Sequence, residues 1–377
     1  MERKPLERLE PGLPAAWYYD PAHYQRELEA FWYRRWVVVA REEELPNPGD
    51  WRTARIGTQS LVLVRDGGAI RAFHNTCRHR GSVLCTEPSG NFARRRIVCP
   101  YHSWTYDLAG RLVATPRRME TPDFNLGDFR LYPAAVAAWG GFVFVNLAPD
   151  APPLDVGELE AQFKRYRFGE LRIGKRIVAD VQANWKLLAE NFSECFHCPP
   201  VHPELCRVVT AYRDAGAWGL RGAESTPEFA EEARTLTLDG SARLPAIATL
   251  SEQERKTIYV PAMLPPSLFL NVHPDYVNAH MMVPTGPETV RIVYDWLFEP
   301  ERLPLGDDDL QHYVALWDVT NRQDARNCEW QQQGVHSREF QHGYYVPQEF
   351  DCHRFAQWVR AGLGELAGEE PAHDTEG

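Results

Sequence analysis

The sequence carries no excess of positive charge. Its 41 Lys and Arg face 52 Asp and Glu, giving a formal net charge of −11 and a pI near 5.7. A nucleic-acid binder would show a basic footprint, so that class is excluded. Long apolar runs are also missing. The longest, Ala134 to Ala148, is interrupted by Trp-Gly-Gly and is too short to span a bilayer. The opening MERKPLERLEP lacks the apolar core of a signal peptide. Cysteine is sparse, eight in 377 residues, which excludes a disulfide scaffold. No internal repeat is found. What remains is ordinary globular composition, 25% charged and 44% hydrophobic, over a length that suits two domains.

One stretch concentrates the chemistry: CRHRGSVLCTEPSGNFARRRIVCPYHSW, Cys77 to Trp104. It holds two short ligand pairs, Cys77-x-His79 and Cys99-x-x-His102. Structural zinc modules pair Cys with Cys and His with His. Here each loop offers one thiolate and one imidazole, so each can give one ligand to each of two metals. A 2Fe–2S centre in which two His replace two Cys on one iron requires that order. Gly81 permits a tight turn after the first pair, and Pro100 stiffens the second loop. Cys85 reads as a small buried residue or a free thiol. Iron–sulfur chemistry favours a reducing compartment, so the expected place is the cytoplasm.

Helical spacing of Tyr24, Leu28, Phe31, Trp32 and Trp36 predicts a helix over Pro21–Trp36, with Asp20 as its N-cap. Short strands follow at Trp36–Ala40, Gln59–Arg65, Ala69–His74, Arg96–Cys99 and Ser103–Leu108, then around Ala134–Leu147. Turns are expected at Asp66-Gly67-Gly68, Ala109-Gly110 and Gly140-Gly141. This density of strands predicts a small all-β unit over 37–150, with the PDAPP run at Pro149 to Pro153 as a boundary. Beyond it, Leu154–Arg167 reads as helical and Arg172–Ala183 as extended. Strands are expected around Ile258–Val260, Ser267–Val272, Val277–Val283 and Thr289–Phe298. A long helix is expected over about Asp308–Gln333, and the polar tail after Gly364 is expected to fray.

A second dense constellation is NWKLLAENFSECFHCPPVHPEL, Asn184 to Leu205. Trp185, Leu188, Ala189, Phe192 and Phe196 make an apolar helical stripe. Glu194 and His197, three apart, would project from one flank of that helix. Pro199-Pro200 would end or kink it. In an unbroken helix His202 would point about 140° away from His197, so the break is what could bring both imidazoles to one metal. Two His and one carboxylate with open positions form the facial triad of non-haem iron oxygenases. In the long C-terminal helix Asp324 shares a stripe with Leu310, Tyr313, Val314, Trp317 and Cys328. A carboxylate on such a face needs a partner, and a cation provides one. Asp318 and Glu329 sit about 100° off that face. A zinc knot built from Cys195, His197, Cys198, His202 and Cys206 is the competing reading, but thiolates suit closed structural zinc and oxygen needs an open site.

Taken together, CRHRG, CPYH-x-W, NWK…EN…E-x-x-H-x₄-HP and NRQD resemble the large (alpha) subunit of Rieske non-haem iron oxygenases, the aromatic-ring-hydroxylating dioxygenase alpha-subunit family. The chain departs in the 19 residues between His79 and Cys99, and in Ser103 where many members have Gly. The resemblance implies an α+β architecture. A small all-β Rieske domain (37–150) is inserted in a helix-grip catalytic domain (1–36 and 151–377), an antiparallel sheet around a long helix. It implies a 2Fe–2S cluster on Cys77, His79, Cys99 and His102, and a mononuclear Fe(II) on His197, His202 and Asp324. Glu194 stands where the family has an acidic residue that bridges to a Rieske histidine of the neighbouring subunit. Many ring-dihydroxylating members have Asp there. Glu194, ECFHCPPVHP and HPDY (His273–Tyr276) resemble the branch that oxidises quaternary amines such as glycine betaine, carnitine and stachydrine.

The implied activity is that of the terminal oxygenase component of a multicomponent system. It would use O2 and electrons from NAD(P)H, delivered by a flavin-containing reductase with or without a ferredoxin. Oxidative N-demethylation of a quaternary amine is the leading reading, and hydroxylation of an aromatic acid or hydrocarbon is the alternative. A non-catalytic Rieske electron-transfer protein is the third. Electron transfer between subunits implies a homotrimer, with no nucleic acid or membrane as partner. Arg78, Arg80 and Arg94–Arg96 could dock an acidic electron donor or merely solvate the loop and offset the cluster's charge. Tyr212, Trp218, Tyr259, Phe269, Tyr276 and Trp296 include possible cation–π partners, but aromatics in strands are mostly core and none is assigned to substrate.

Overall fold

The structure, a computed structural model, describes residues 4–215 and 228–364. The frayed tail expected after Gly364 and the candidate Trp218 lie outside the described residues. The chain divides into two compact units. One is Trp32–Arg172 with Met263–Phe269; the other takes in the chain up to Phe31, Ile173–Ala262 and the chain from Leu270 onward. Among the described residues, no helix is long and apolar enough to cross a membrane.

The first unit is built on a seven-stranded sheet. Its order is Val37–Arg41, Phe142–Asn146, Pro133–Trp139, Ala69–His74, Gln59–Asp66, Asp50–Ile56 and Ser89–Asn91. Phe142–Asn146 reads Phe-Val-Phe-Val-Asn and is buried along its whole length, which fits a strand covered on both faces. Gly140 and Gly141, at φ +57° and +74°, make the two-residue turn that pairs Trp139 with Phe142. Positive φ at both positions is what a tight hairpin of this hand requires. A Cβ on Gly141 would come within 2.9 Å of the Arg41 guanidinium. That buried arginine donates to the carbonyls of Gly140, Phe168 and Leu171 at 2.7–3.0 Å. A three-stranded sheet, Arg96–Val98, Thr105–Asp107 and Leu112–Ala114, supports the second ligand loop.

The second unit pairs a five-stranded sheet with the long helix Asp307–Gly334, the α+β helix-grip arrangement that the family resemblance implies. The strand order is Arg172–Val181, Thr289–Phe298, Val277–Gly286, Leu268–Val272 and Val260–Leu264. Asp307, Asp308 and Asp309 fill the helix's first turn, where negative charge complements the macrodipole. Tyr313 packs against Phe298 and Tyr276, with ring centroids 5.6 and 5.2 Å apart, seating the helix on the sheet.

The Asn-Trp-Lys run anchors the helix Trp185–Phe192 through buried polar groups. The Asn184 side chain accepts from the Lys186 N–H at 3.0 Å, and the Asn184 backbone N–H donates to Gln332 Oε1 of the long helix at 2.8 Å. Trp185 Nε1 donates to Glu27 Oε2 at 2.7 Å. Lys186, wholly buried, pairs with Glu27 and also donates to the Trp17 carbonyl and Asn184 Oδ1, each at 2.8 Å. A buried charge paired this fully fixes one position for the helix, and loss of either partner would strand the other.

Two expectations need correction. The helix from Trp185 stops at Phe192 and does not run on to the prolines. Phe196 is 44% exposed and so is no part of an inward stripe. Pro199 and Pro200 open a short new helix, Cys198–Val201, at positions where a missing N–H costs nothing. Leu154–Arg167 is likewise helical only over Leu159–Phe163, with a 3₁₀ turn to Tyr166.

Candidate functional site

The break after Phe192 frees His197 and His202 from helical spacing, and they meet Asp324 of the long helix. One ligand atom from each lies within 4.8 Å of the others. His202 Nε2 is 2.8 Å from Asp324 Oδ1, His197 Nε2 is 3.4 Å from the same oxygen, and the two Nε2 atoms are 3.2 Å apart. The far side of each ring is occupied. His197 Nδ1 faces Glu194 Oε1 at 2.5 Å, and His202 Nδ1 faces Gln323 Oε1 at 2.8 Å. Gln323 is oriented in turn by donating from Nε2 to Glu204 Oε2 at 3.1 Å. These acceptors hold the Nδ1 protons, so both Nε2 lone pairs point at a carboxylate oxygen.

Two imidazole nitrogens converging on one carboxylate oxygen make a donor set that a bound cation would satisfy. Burial alone would push His197 down, but the Asp324 and Glu194 carboxylates override it and push the imidazole up to about 10. Burial would raise Asp324, yet the two imidazoles hold it at about 2. Ligands roughly 2.1 Å from one first-row ion and at right angles lie about 3 Å apart, which the observed spacings match. The residues therefore fit a mononuclear metal, and the three ligands leave the open positions that oxygen chemistry needs.

In the other unit, Cys77 and Cys99 are buried, His79 is exposed and His102 is half-buried, so the imidazoles form the outward tip. The His79 and His102 ring centroids are 4.7 Å apart, and His79 stacks on Trp104 at 4.7 Å. Tyr106 Oη lies 3.2 Å from Cys77 Sγ and accepts from the Arg78 N–H at 3.1 Å. Burial pushes the Cys77 thiol up, so without a metal the site disfavours thiolate. His102 Nδ1 is buried with no hydrogen-bond partner, an orphan that a metal bond would satisfy. Gly81 sits at φ +74° in the first loop and Ser103 at φ +58° in the second. The donor set fits an iron–sulfur cluster.

Sequence reasoning missed Gln323 and Glu204, though they adjoin Asp324 and His202 in NRQD and HPEL. The HPDY turn belongs to the core: His273 and Tyr276 are fully buried, and Trp317 Nε1 lies 3.0 Å from both His273 Nε2 and Tyr276 Oη. The other His273 nitrogen meets the Ile258 carbonyl at 3.1 Å, so both are spent on packing. Tyr212, Tyr259, Phe269 and Trp296 are likewise buried. Arg78 is tied down, donating to the Arg130 carbonyl at 2.6 Å, whereas Arg80 and Arg94–Arg96 are exposed.

Residues 168–365 match the family described as ring hydroxylating alpha subunit (catalytic domain), and residues 35–125 match the Rieske [2Fe-2S] domain. The glycine betaine monooxygenase oxygenase subunit of Chromohalobacter salexigens is 32% identical, over 96% of this chain and 88% of its own length. The carnitine monooxygenase oxygenase subunit of Escherichia coli is 30% identical, over 87% of this chain and 85% of its own. In fold, the chain matches a quaternary ammonium Rieske monooxygenase at a TM-score of 0.75 and 24% identity, over 94% of this chain and 96% of that one.

The chain therefore belongs to the Rieske-type ring-hydroxylating alpha-subunit family. It is an oxidoreductase: the terminal oxygenase component of a Rieske system, with a 2Fe–2S cluster, a mononuclear iron and O2 as co-substrate.

Proposed function

We propose that Cys77, His79, Cys99 and His102 hold the cluster, that His197, His202 and Asp324 hold the mononuclear iron, and that the substrate is a small quaternary amine. The observation that carries the iron assignment is the convergence of two Nε2 atoms and one carboxylate oxygen within 2.8–3.4 Å, each ring fixed from behind. The glycine betaine and carnitine relatives support the substrate class. When bound, the iron supplies activation of O2. Hydroxylation of an N-methyl group gives a hemiaminal, which collapses to formaldehyde and the demethylated amine.

This chain's residues do the positioning. Asp324 supplies the negative charge, Gln323 holds the proton on His202 Nδ1, and Glu194 holds that on His197 Nδ1. Glu194 touches a ligand directly, which suits the bridging role between His197 and a cluster histidine of a neighbouring subunit in a homotrimer. His79, exposed at its tip, is available for that contact. A flavin-containing reductase, directly or through a ferredoxin, would pass electrons from NAD(P)H, and exposed Arg80 and Arg94–Arg96 offer an acidic donor a surface. The span 37–150 is the proposed cluster domain, with 1–36 and 151–377 the catalytic one. Free buried thiols and iron–sulfur ligands suit a reducing cytoplasm.

Metal analysis with a formaldehyde assay tests the reading. About three irons per chain are expected, two in the cluster and one beyond it. Formaldehyde should be released from trimethylammonium substrates with a surrogate reductase. Two irons per chain, unchanged in His197→Ala, would sink the site. Turnover stimulated by aromatic acids and not by betaines would replace amine demethylation with ring hydroxylation.

A further inference from the structure

The turn that presents His197 also contains a dithiol, in Cys195-Phe196-His197-Cys198. The Cys198 N–H donates to the Cys195 carbonyl at 3.2 Å, closing a turn across these four residues. Such a turn keeps its end Cα atoms within about 7 Å, and a disulfide needs roughly 4.4–6.8 Å. Cys195 is half-buried and Cys198 buried, so a small solute can reach the first while the second waits behind it. Neither sulfur belongs to the proposed ligand set.

We propose that Cys195 and Cys198 form a redox-sensitive pair that closes to a disulfide on exposure to hydrogen peroxide and thereby loosens His197. The Cys195 sulfur attacks the peroxide: an S–O bond forms, the O–O bond breaks, and the departing hydroxide leaves as water with the thiol proton. The Cys198 sulfur then attacks the sulfenic sulfur; an S–S bond forms, the S–O bond breaks and a second water leaves. The peroxide gains two electrons and the two thiols lose them. Closing the sulfurs to about 2.05 Å tightens the turn around His197. The site's own source of peroxide, two-electron reduction of O2 without substrate oxidation, rests on the oxygenase reading. Reagent peroxide does not, so the two ideas can fail separately.

The test treats iron-loaded protein with hydrogen peroxide, locates disulfides by peptide mass mapping, and follows iron transfer to a chelator. The expected product is a Cys195–Cys198 bond, lighter by two hydrogens and reversed by a dithiol reductant. Iron should leave about tenfold faster, the scale of a disturbed ligand support. Cys195→Ser and Cys198→Ser should keep their iron under the same treatment. A pair that stays reduced, or a bond from Cys195 to Cys206, overturns the pairing. A Cys195–Cys198 bond formed without faster iron loss overturns its coupling to His197.

Discussion

Glu194 grips His197 at two places. Its Oε1 lies 2.5 Å from the ring Nδ1, and its Oε2 accepts from the N–H groups of Phe196 and His197. Glu194 thus fixes both the ring and the backbone of His197, the proposed ligand, and it is the residue proposed to bridge to the cluster. The two duties separate by substitution. Glu194→Gln keeps an oxygen for Nδ1–H, so it should retain iron but slow reoxidation of the cluster in single turnover. Glu194→Ala should also weaken iron retention, by about 10–100-fold. Stopped-flow absorbance of the reduced cluster, together with metal analysis, checks both; a Gln variant with unchanged single-turnover kinetics would refute the bridging role.

Gln323 should matter nearly as much as a ligand. Its Oε1 holds the proton on His202 Nδ1, which directs Nε2 at Asp324, and Glu204 prevents the amide from flipping. Gln323→Leu leaves that proton unpaired beside a buried ring. Iron affinity is expected to fall about 10–100-fold, with the cluster spectrum unchanged. Metal titration followed by electron paramagnetic resonance of both centres would show it.

The sequence made some of this legible and not the rest, for physical reasons. Asp20 caps its helix, accepting from the Ala22 N–H at 2.7 Å, because a short acceptor before Pro21 has little else to do. Strands rich in Val and Phe announce themselves. The strand Asp50–Ile56 does not: DWRTARI is half-buried and lacks strict alternation, and pairing with Gln59–Asp66 holds it in place. The candidate ligands could be picked out because Cys and His are rare and closely spaced. Gln323 and Glu204 look like any polar surface residues until the fold turns them inward. The end of the helix at Phe192 could not be read from periodicity, because the apolar spacing runs on to Phe196, whose side chain is in fact 44% exposed.

Glu190 should make stability depend on pH. Burial pushes its carboxyl up to about 7, against the opposing pull of hydrogen bonds from Tyr345 and Tyr18, each 2.9 Å away. The folded value lies above the ordinary 4.5, so folding favours the protonated form. Its contribution is then fully present below about 4.5 and is lost as pH rises through about 7. The Tm difference between wild type and Glu190→Gln should therefore widen against wild type from pH 5 to 8. Parallel thermal melts would expose a difference that stays flat, which would mean that Glu190 remains ionised throughout.

Ser103 isolates a backbone effect in the cluster loop. It is exposed and held at φ +58°, with its N–H donating to the Cys99 carbonyl at 3.1 Å, while the Cys99 N–H donates to the Trp104 carbonyl at 2.8 Å. The left-handed region costs an L-residue about 1–2 kcal/mol. Glycine escapes that cost but gives back about 0.5–1 kcal/mol through its freer unfolded chain. Ser103→Gly should therefore stabilise slightly, by less than about 1 kcal/mol, and leave the cluster spectrum intact. Ser103→Val brings a branched Cβ to the same torsion and should cost about 1–3 kcal/mol. Because the side chain is exposed, lost packing cannot account for either change. Denaturant titration of the two variants in opposite directions would tie the family's glycine preference at this position to φ, whereas equal destabilisation by both would assign it to the serine hydroxyl.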